Sequence, residues 1–116
     1  MQVLVLVKAT EASEAGGPPD PAMMEAMGRF NAELREAGVL KLADGLQPSS
    51  AGARVAFEGA GRTVSRGPFT PAEDLVAGFW IWEVRDLEEA IAWVRQCPNP
   101  MPGPSTIEIR PFNDRV

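Results

Sequence analysis

Histidine is absent from this chain of 116 residues, and cysteine occurs once. Those two gaps remove much of the usual chemistry. A Ser/His/Asp or Cys/His relay needs an imidazole to take the proton from its nucleophile, and zinc sites draw mainly on Cys and His ligands. Neither class is expected, and the expectation is no metal and no cofactor. Cys97 has no partner for an intrachain disulfide. The chain shows no basic start followed by an apolar signal-peptide core, so a reducing cytoplasm is the expected compartment. Long apolar runs are also missing: Val3 to Val7 is far too short for a membrane span, and no membrane partner is expected. Basic charge is scarce, with eleven Lys and Arg against sixteen Asp and Glu for a net −5. Scattered without a basic block, these residues give a polyphosphate backbone nothing to bind, so nucleic acid is not an expected partner.

What is present suits one domain, residues 1–116. A hydrophobic content of 45%, with three Trp and five Phe, is ample for a core. Val3-Leu4-Val5-Leu6-Val7 reads as a strand covered on both faces. Thr10 to Pro19, rich in Ser, Gly and Pro, reads as a flexible loop. Asp20-Pro21 supplies an N-cap and a proline at the first helical position. Met23, Met27, Phe30, Leu34 and Ala37 then recur at three- and four-residue steps up to a stop at Gly38. Met23, Met24 and Met27 are read as core packing, because a soft thioether metal site needs thiolates or imidazoles beside it.

Leu40–Leu46, Arg54–Glu58 and Arg62–Ser65, parted by turns at Pro48–Gly52 and Gly59-Ala60-Gly61, read as an antiparallel meander. The glycine triplet lacks the lysine and the following helix of a phosphate loop, so it is read as a hairpin turn. Thr70-Pro71-Ala72-Glu73 fits a capping box and predicts a short helix to about Val76. In Phe79–Val84, alternation puts Phe79, Ile81 and Glu83 on one face and Trp80, Trp82 and Val84 on the other. Both faces are apolar, so this strand must be covered twice, by helices on one side and by a second subunit on the other. Asp86 to Glu89 opens a second capped helix, stopped by Pro98, with Cys97 on its apolar stripe as a small core hydrophobe rather than a reactive thiol. A proline-rich connection, Pro98–Pro104, leads to a last strand, Thr106–Arg110. There Ile107 and Ile109 face one way, Glu108 and Arg110 the other.

This order makes the fold class α+β: a ferredoxin-like plaited sandwich with an added hairpin region. Such a sheet carries helices on one side only. Pairing two sheets through their bare faces gives a dimeric α/β barrel, so a homodimer is expected.

The starting strand carries a resemblance, together with Ala37-Gly38-Val39-Leu40 leading to Gly45-Leu46-Gln47-Pro48, then Gly67-Pro68-Phe69, Gly78 to Val84, the Asp86 helix and Glu108-Ile109-Arg110-Pro111. Across nearly its whole length the chain resembles the YCII-related family, in the subgroup with an Asp-Gly-Pro-Phe signature. The resemblance implies a ferredoxin-like fold assembled as a dimeric α/β barrel, and, in the wider group, a His and Asp pair proposed as catalytic. This chain departs from that pattern. Arg66 stands in place of the signature aspartate, and Gln47 before Pro48 and Met101 before Pro102 occupy places where similar proteins carry histidine.

Polar side chains that interrupt apolar strands mark the candidate site. Glu83 or Glu108 is the candidate general base, a carboxylate whose pKa burial would raise. Arg66 or Arg110 is the candidate anion holder, and Lys8 ends the first strand. Gln47 and Phe69 come from the turns, and Trp80 and Trp82 form the candidate aromatic wall. The plainer reading of Glu108 and Arg110 is an ion pair at the sheet's end. Two functions compete. One is a noncatalytic dimer that holds a small anionic molecule in a barrel pocket; the other is a cofactorless isomerase, lyase or hydrolase that uses a carboxylate base on a small metabolite.

Overall fold

Alternating apolar side chains build the centre of the molecule. The computed structural model describes residues 1–113, and in it strand β1, Gln2–Lys8, buries Val3, Val5 and Val7 on one face while Leu4 and Leu6 are half-buried on the other. Strand β5, Val76–Glu83, lies antiparallel beside it, with Val3 opposite Trp82 and Val5 opposite Trp80. Strand β2, Leu40–Gly45, flanks β5, and strand β6, Ile107–Pro111, flanks β1, so the sheet order is β2-β5-β1-β6. All three pairings are antiparallel. This is the strand order of a ferredoxin-like plait, open at β2 and β6.

Two helices cover the Val3 face. Helix α2, Pro21–Glu36, follows the four-residue helix α1, Glu11–Glu14. Its Asp20 cap accepts from the Ala22 amide at 3.0 Å. It ends where Gly38 adopts φ +75, with Gly38 N donating to Arg35 O and Val39 N to Leu34 O, the paired bonds of a Schellman stop. Helix α3, Leu87–Gln96, is capped by Asp86, which accepts from Glu89 N at 2.9 Å, while Glu89 turns back to accept from Arg85 N. Phe30 of α2 packs edge-on against Trp80, Trp82 and Trp93, with ring centroids 6.1 to 6.3 Å apart. Trp82 is fully buried, and its indole Nε1 finds no hydrogen-bond partner among the described residues.

Among the described residues, no helix covers the opposite face. Leu4, Leu6, Phe79 and Ile81 are half-buried there, and Leu42, opposite Ile81, is exposed. Glu108 and Arg110 share this face, since they pair with Leu6 and Leu4.

Three local expectations need correction. The loop expected from Thr10 contains α1, because Thr10 and Ser13 cap each other reciprocally. The helix expected after Thr70 is only a 3-10 turn, Ala72–Asp74, without a side-chain cap, and β5 takes the chain from Val76. The expected meander is not one sheet: β2 joins β5, while β3 (Ala53–Glu58) and β4 (Gly61–Arg66) pair, among the described residues, with each other alone. Every residue of β3 and β4 is exposed, so this hairpin is an arm. The molecule spans 46 × 42 × 19 Å with a radius of gyration of 15.9 Å, larger than the roughly 13 Å of a rounded domain of this length.

Candidate functional site

A cleft of about 510 Å³ opens between α2 and the ends of β2 and β5. Met23, Met24 and Met27 form its helical wall, Met101 closes one side, and Gly78 and Trp80 form its floor. Gly78 lets β2 run close beside β5: a Cβ there would meet the Asp44 carbonyl at 3.1 Å. Trp80 Nε1 donates to Asn31 Oδ1 at 2.8 Å. Because an indole only donates, this bond fixes the Asn31 amide with its NH₂ turned away, a donor at the cleft wall. Asp44 borders the cleft where β2 meets β5, but it pairs with Phe79, so its side chain belongs to the opposite sheet face, where its Oδ1 accepts from the Gly45 amide. The lining is therefore apolar and soft, with the Asn31 amide as its directional polar group.

The sequence reading treated these methionines as core. Met27 does pack against the core, but Met24 is 54% exposed. The signal in the sequence was Met24, which stands off the stripe defined by Phe30 and Leu34.

Among the candidate residues, the structure brings Lys8 and Glu108 together. Both line a second cavity of about 410 Å³ with Glu73, Thr10 and the Pro104–Thr106 segment. Arg110 lies two positions along β6 from Glu108 and donates to its Oε2 at 3.3 Å. Glu83 is elsewhere. It sits at the far end of β5, opposite Gln2, where it accepts from the N-terminal ammonium at 2.8 Å. That hydrogen bond holds its carboxyl below the ordinary carboxylate value, the opposite of what a general base near neutral pH needs.

Trp80 and Trp82 point to the helical face, away from Glu108 and Arg110. Trp80 reaches the methionine cleft, whereas Trp82 is sealed in the core with no surface to offer a ligand. Gln47 is exposed on the link after β2, and Arg66 is exposed at the end of the arm. Phe69 lies under the Arg54 guanidinium, 4.1 Å from its ring centroid.

One network around Phe69 went unread in the sequence. Phe69 N donates to Ser49 Oγ at 2.9 Å, Ser49 Oγ donates to Glu14 Oε1, and Ser49 N donates to Glu14 Oε2 at 2.9 Å. The Gly67 backbone presses against the Ser49 carbonyl so closely that a Cβ would stand 1.8 Å from it. Gly67-Pro68-Phe69 is thus bolted to the Ser49 turn, and glycine is required by contact. The Ser49 hydroxyl has its proton and a lone pair committed, which makes it a clamp rather than a nucleophile.

The sequence profile of the YCII-related domain matches residues 1–113. The chain belongs to the YCII-related family. A curated relative is an uncharacterised protein of Rhizobium meliloti (strain 1021), 27% identical over 93 residues, which cover 80% of this chain and 75% of that protein.

In this YCII-related domain the lone thiol is quiet. Cys97 is half-buried, donates to the Pro98 carbonyl at 3.2 Å, and is pushed by desolvation up to about 11. Its thiolate is scarce at neutral pH. Among the described residues no group of three His, Cys, Asp or Glu side chains converges on a point that could hold a metal ion. No helix there is long and apolar enough to cross a membrane.

Proposed function

We propose that this YCII-related protein is a noncatalytic, homodimeric binder of a small, largely apolar molecule, which it seats in the methionine cleft. The observation that carries the reading is the cleft itself: about 510 Å³, walled by methionines and Trp80, with Asn31 as its directional polar group. Volumes of this size, mostly apolar with a few fixed polar groups, are typical of small-molecule sites. Flexible thioether walls adapt to flat ligands. Such a lining favours a neutral guest. An anionic ligand, the sequence expectation, needs Lys8, Arg66 or Arg110, none of which lines this cleft. The Arg66-Gly67-Pro68-Phe69 turn supports membership of the subgroup with the Asp-Gly-Pro-Phe signature, with its acidic position replaced by arginine.

The dimer reading rests on the uncovered sheet face. Leu4, Leu6, Phe79 and Ile81 form an apolar centre with charged residues at its margin, and two such faces pair as a dimeric α/β barrel.

Fluorescence titration with a neutral dye such as Nile red tests the cleft. Saturable binding is expected, with Met27→Trp filling the cleft and weakening binding at least tenfold while the thermal midpoint is kept. Equal affinity in the variant refutes the reading. A second reading, a carboxylate-base enzyme, is favoured by one observation: Lys8 stands with Glu73 and Glu108 around the other cavity. Turnover abolished by Glu108→Gln, but not by Met27→Trp, would select it.

A further inference from the structure

The β3–β4 arm has two unlike faces. Arg54 belongs to the inner one, stacked on Phe69 of the body. Alternation puts Val55, Phe57, Val64, Arg62 and Arg66 on the other, because Val55 pairs with Val64, Phe57 with Arg62 and Ala53 with Arg66. On that outer face Phe57 is 71% exposed and Val64 58%, and the Arg62 guanidinium lies 4.5 Å from the Phe57 ring centroid. A lone two-stranded hairpin is marginal in water, and a contiguous exposed apolar patch marks an interaction surface.

We propose that this outer face is a clasp for a second copy of this chain, each arm lying against the body of the other protomer. The inference rests on the dimer reading above and adds the surface that locks the dimer. Charge selects the partner. Arg54, Arg62 and Arg66 against Glu58 give the arm a net +2 in a chain of net −5, which leaves −7 on the remainder. A basic arm finds its complement on the acidic body of its own kind, and two-fold symmetry uses that complement twice.

Area selects it too. Four strands about 4.8 Å apart and about six residues long at about 3.3 Å each present a sheet face of only about 400 Å². A stable dimer typically covers about 800 Å² per partner. An arm of two such strands adds about 200 Å² of its own, and the body beneath the partner's arm adds about as much again. The clasp about doubles the footprint that the sheet alone offers.

Sedimentation velocity across a dilution series tests the clasp on the full chain. The double variant Phe57→Asp/Val64→Asp is expected to raise the dimer dissociation constant at least tenfold, with an unchanged near-ultraviolet tryptophan spectrum, since the tryptophans lie in the body. The charge variant Arg62→Glu/Arg66→Glu keeps the apolar residues and is expected to weaken the dimer as well, and to blunt its sensitivity to salt. Wild-type dissociation constants in both variants overturn the clasp. If Ile81→Asp on the sheet face still breaks such a dimer, the dimer reading stands and the clasp alone falls. A wild type that stays monomeric throughout the series overturns both.

Discussion

The central strand β5 and the arm β3–β4 are written in the same alphabet and come to opposite ends. Phe79-Trp80-Ile81-Trp82 and Val55-Ala56-Phe57 are both β-prone and apolar. Yet β5 has a neighbour along each edge and α2 and α3 over one face, while every residue of the arm is exposed. Strand propensity describes a residue that fits a pleated surface; it does not say what lies above the pleat. Trp80 and Trp82 of β5 join the core under the helices, whereas Phe57 and Val64 of the arm stay exposed.

The same chemical change in each region tests that contrast most severely. Phe30 is 3% exposed among three tryptophans, and Phe57 is 71% exposed. Phe30→Ala should cost about 3–5 kcal/mol, a large share of a small domain's stability. Phe57→Ala should move stability by less than about 0.5 kcal/mol when measured where the chain is monomeric. Urea unfolding followed by tryptophan fluorescence reads both. Comparable losses would mean that the arm is part of the core after all.

The junction of the two regions offers a sharper test. Gly67 closes against the Ser49 carbonyl, so Gly67→Ala must push the arm's root away from that turn. Overpacking of this kind costs about 1–3 kcal/mol. Gly103→Ala is the control, because a Cβ there meets nothing within 4 Å. Hydrogen exchange should locate the damage at the Phe69 and Ser49 amides, which donate into the Ser49–Glu14 clamp. Protection retained at both amides in Gly67→Ala would show that body and arm are not joined through this contact.

The contrast also marks how far the sequence could be read. Local periodicity gave the strands, the faces of β5 and β6, and the long helices, because alternation and capping act within a few residues. Helix α1 escaped because four residues are too few to show a period, and only the Thr10–Ser13 cap betrays it. The meander failed because edge partners are a long-range choice: β5 inserts beside β2 and leaves β3 and β4 to each other. Register governs the candidate site in the same way. The β1–β6 pairing sets Glu108 opposite Leu6, two residues from Lys8, whereas the β1–β5 pairing carries Glu83 to the other end, opposite Gln2. The methionine cleft was hidden because a stripe at helical spacing looks the same whether it fills a core or walls a cavity.

The smallest expected effect lies at the boundary between buried and exposed within β5 itself. Glu83 follows Trp82, the most deeply buried ring, yet its carboxylate is exposed and reaches the N-terminal ammonium. The hydrogen bond from that ammonium lowers its pKa from the ordinary 4.5, against an opposing desolvation, with the charges of the ammonium and of Lys41 helping. A folded-state pKa below the unfolded one means that the pair stabilises the fold above about pH 4.5, and that this contribution fades as pH falls through the lowered folded value. Since exposed ion pairs are worth little, the unfolding midpoint should hardly move. The titration itself should show the effect. The Glu83 side-chain carboxyl carbon, followed by NMR, should have its midpoint below 4.5 in the free-amine protein and return toward 4.5 once the N-terminal amine is acetylated. An identical midpoint in both forms would place Glu83 with the solvated residues of the arm, and the boundary would then fall immediately after Trp82.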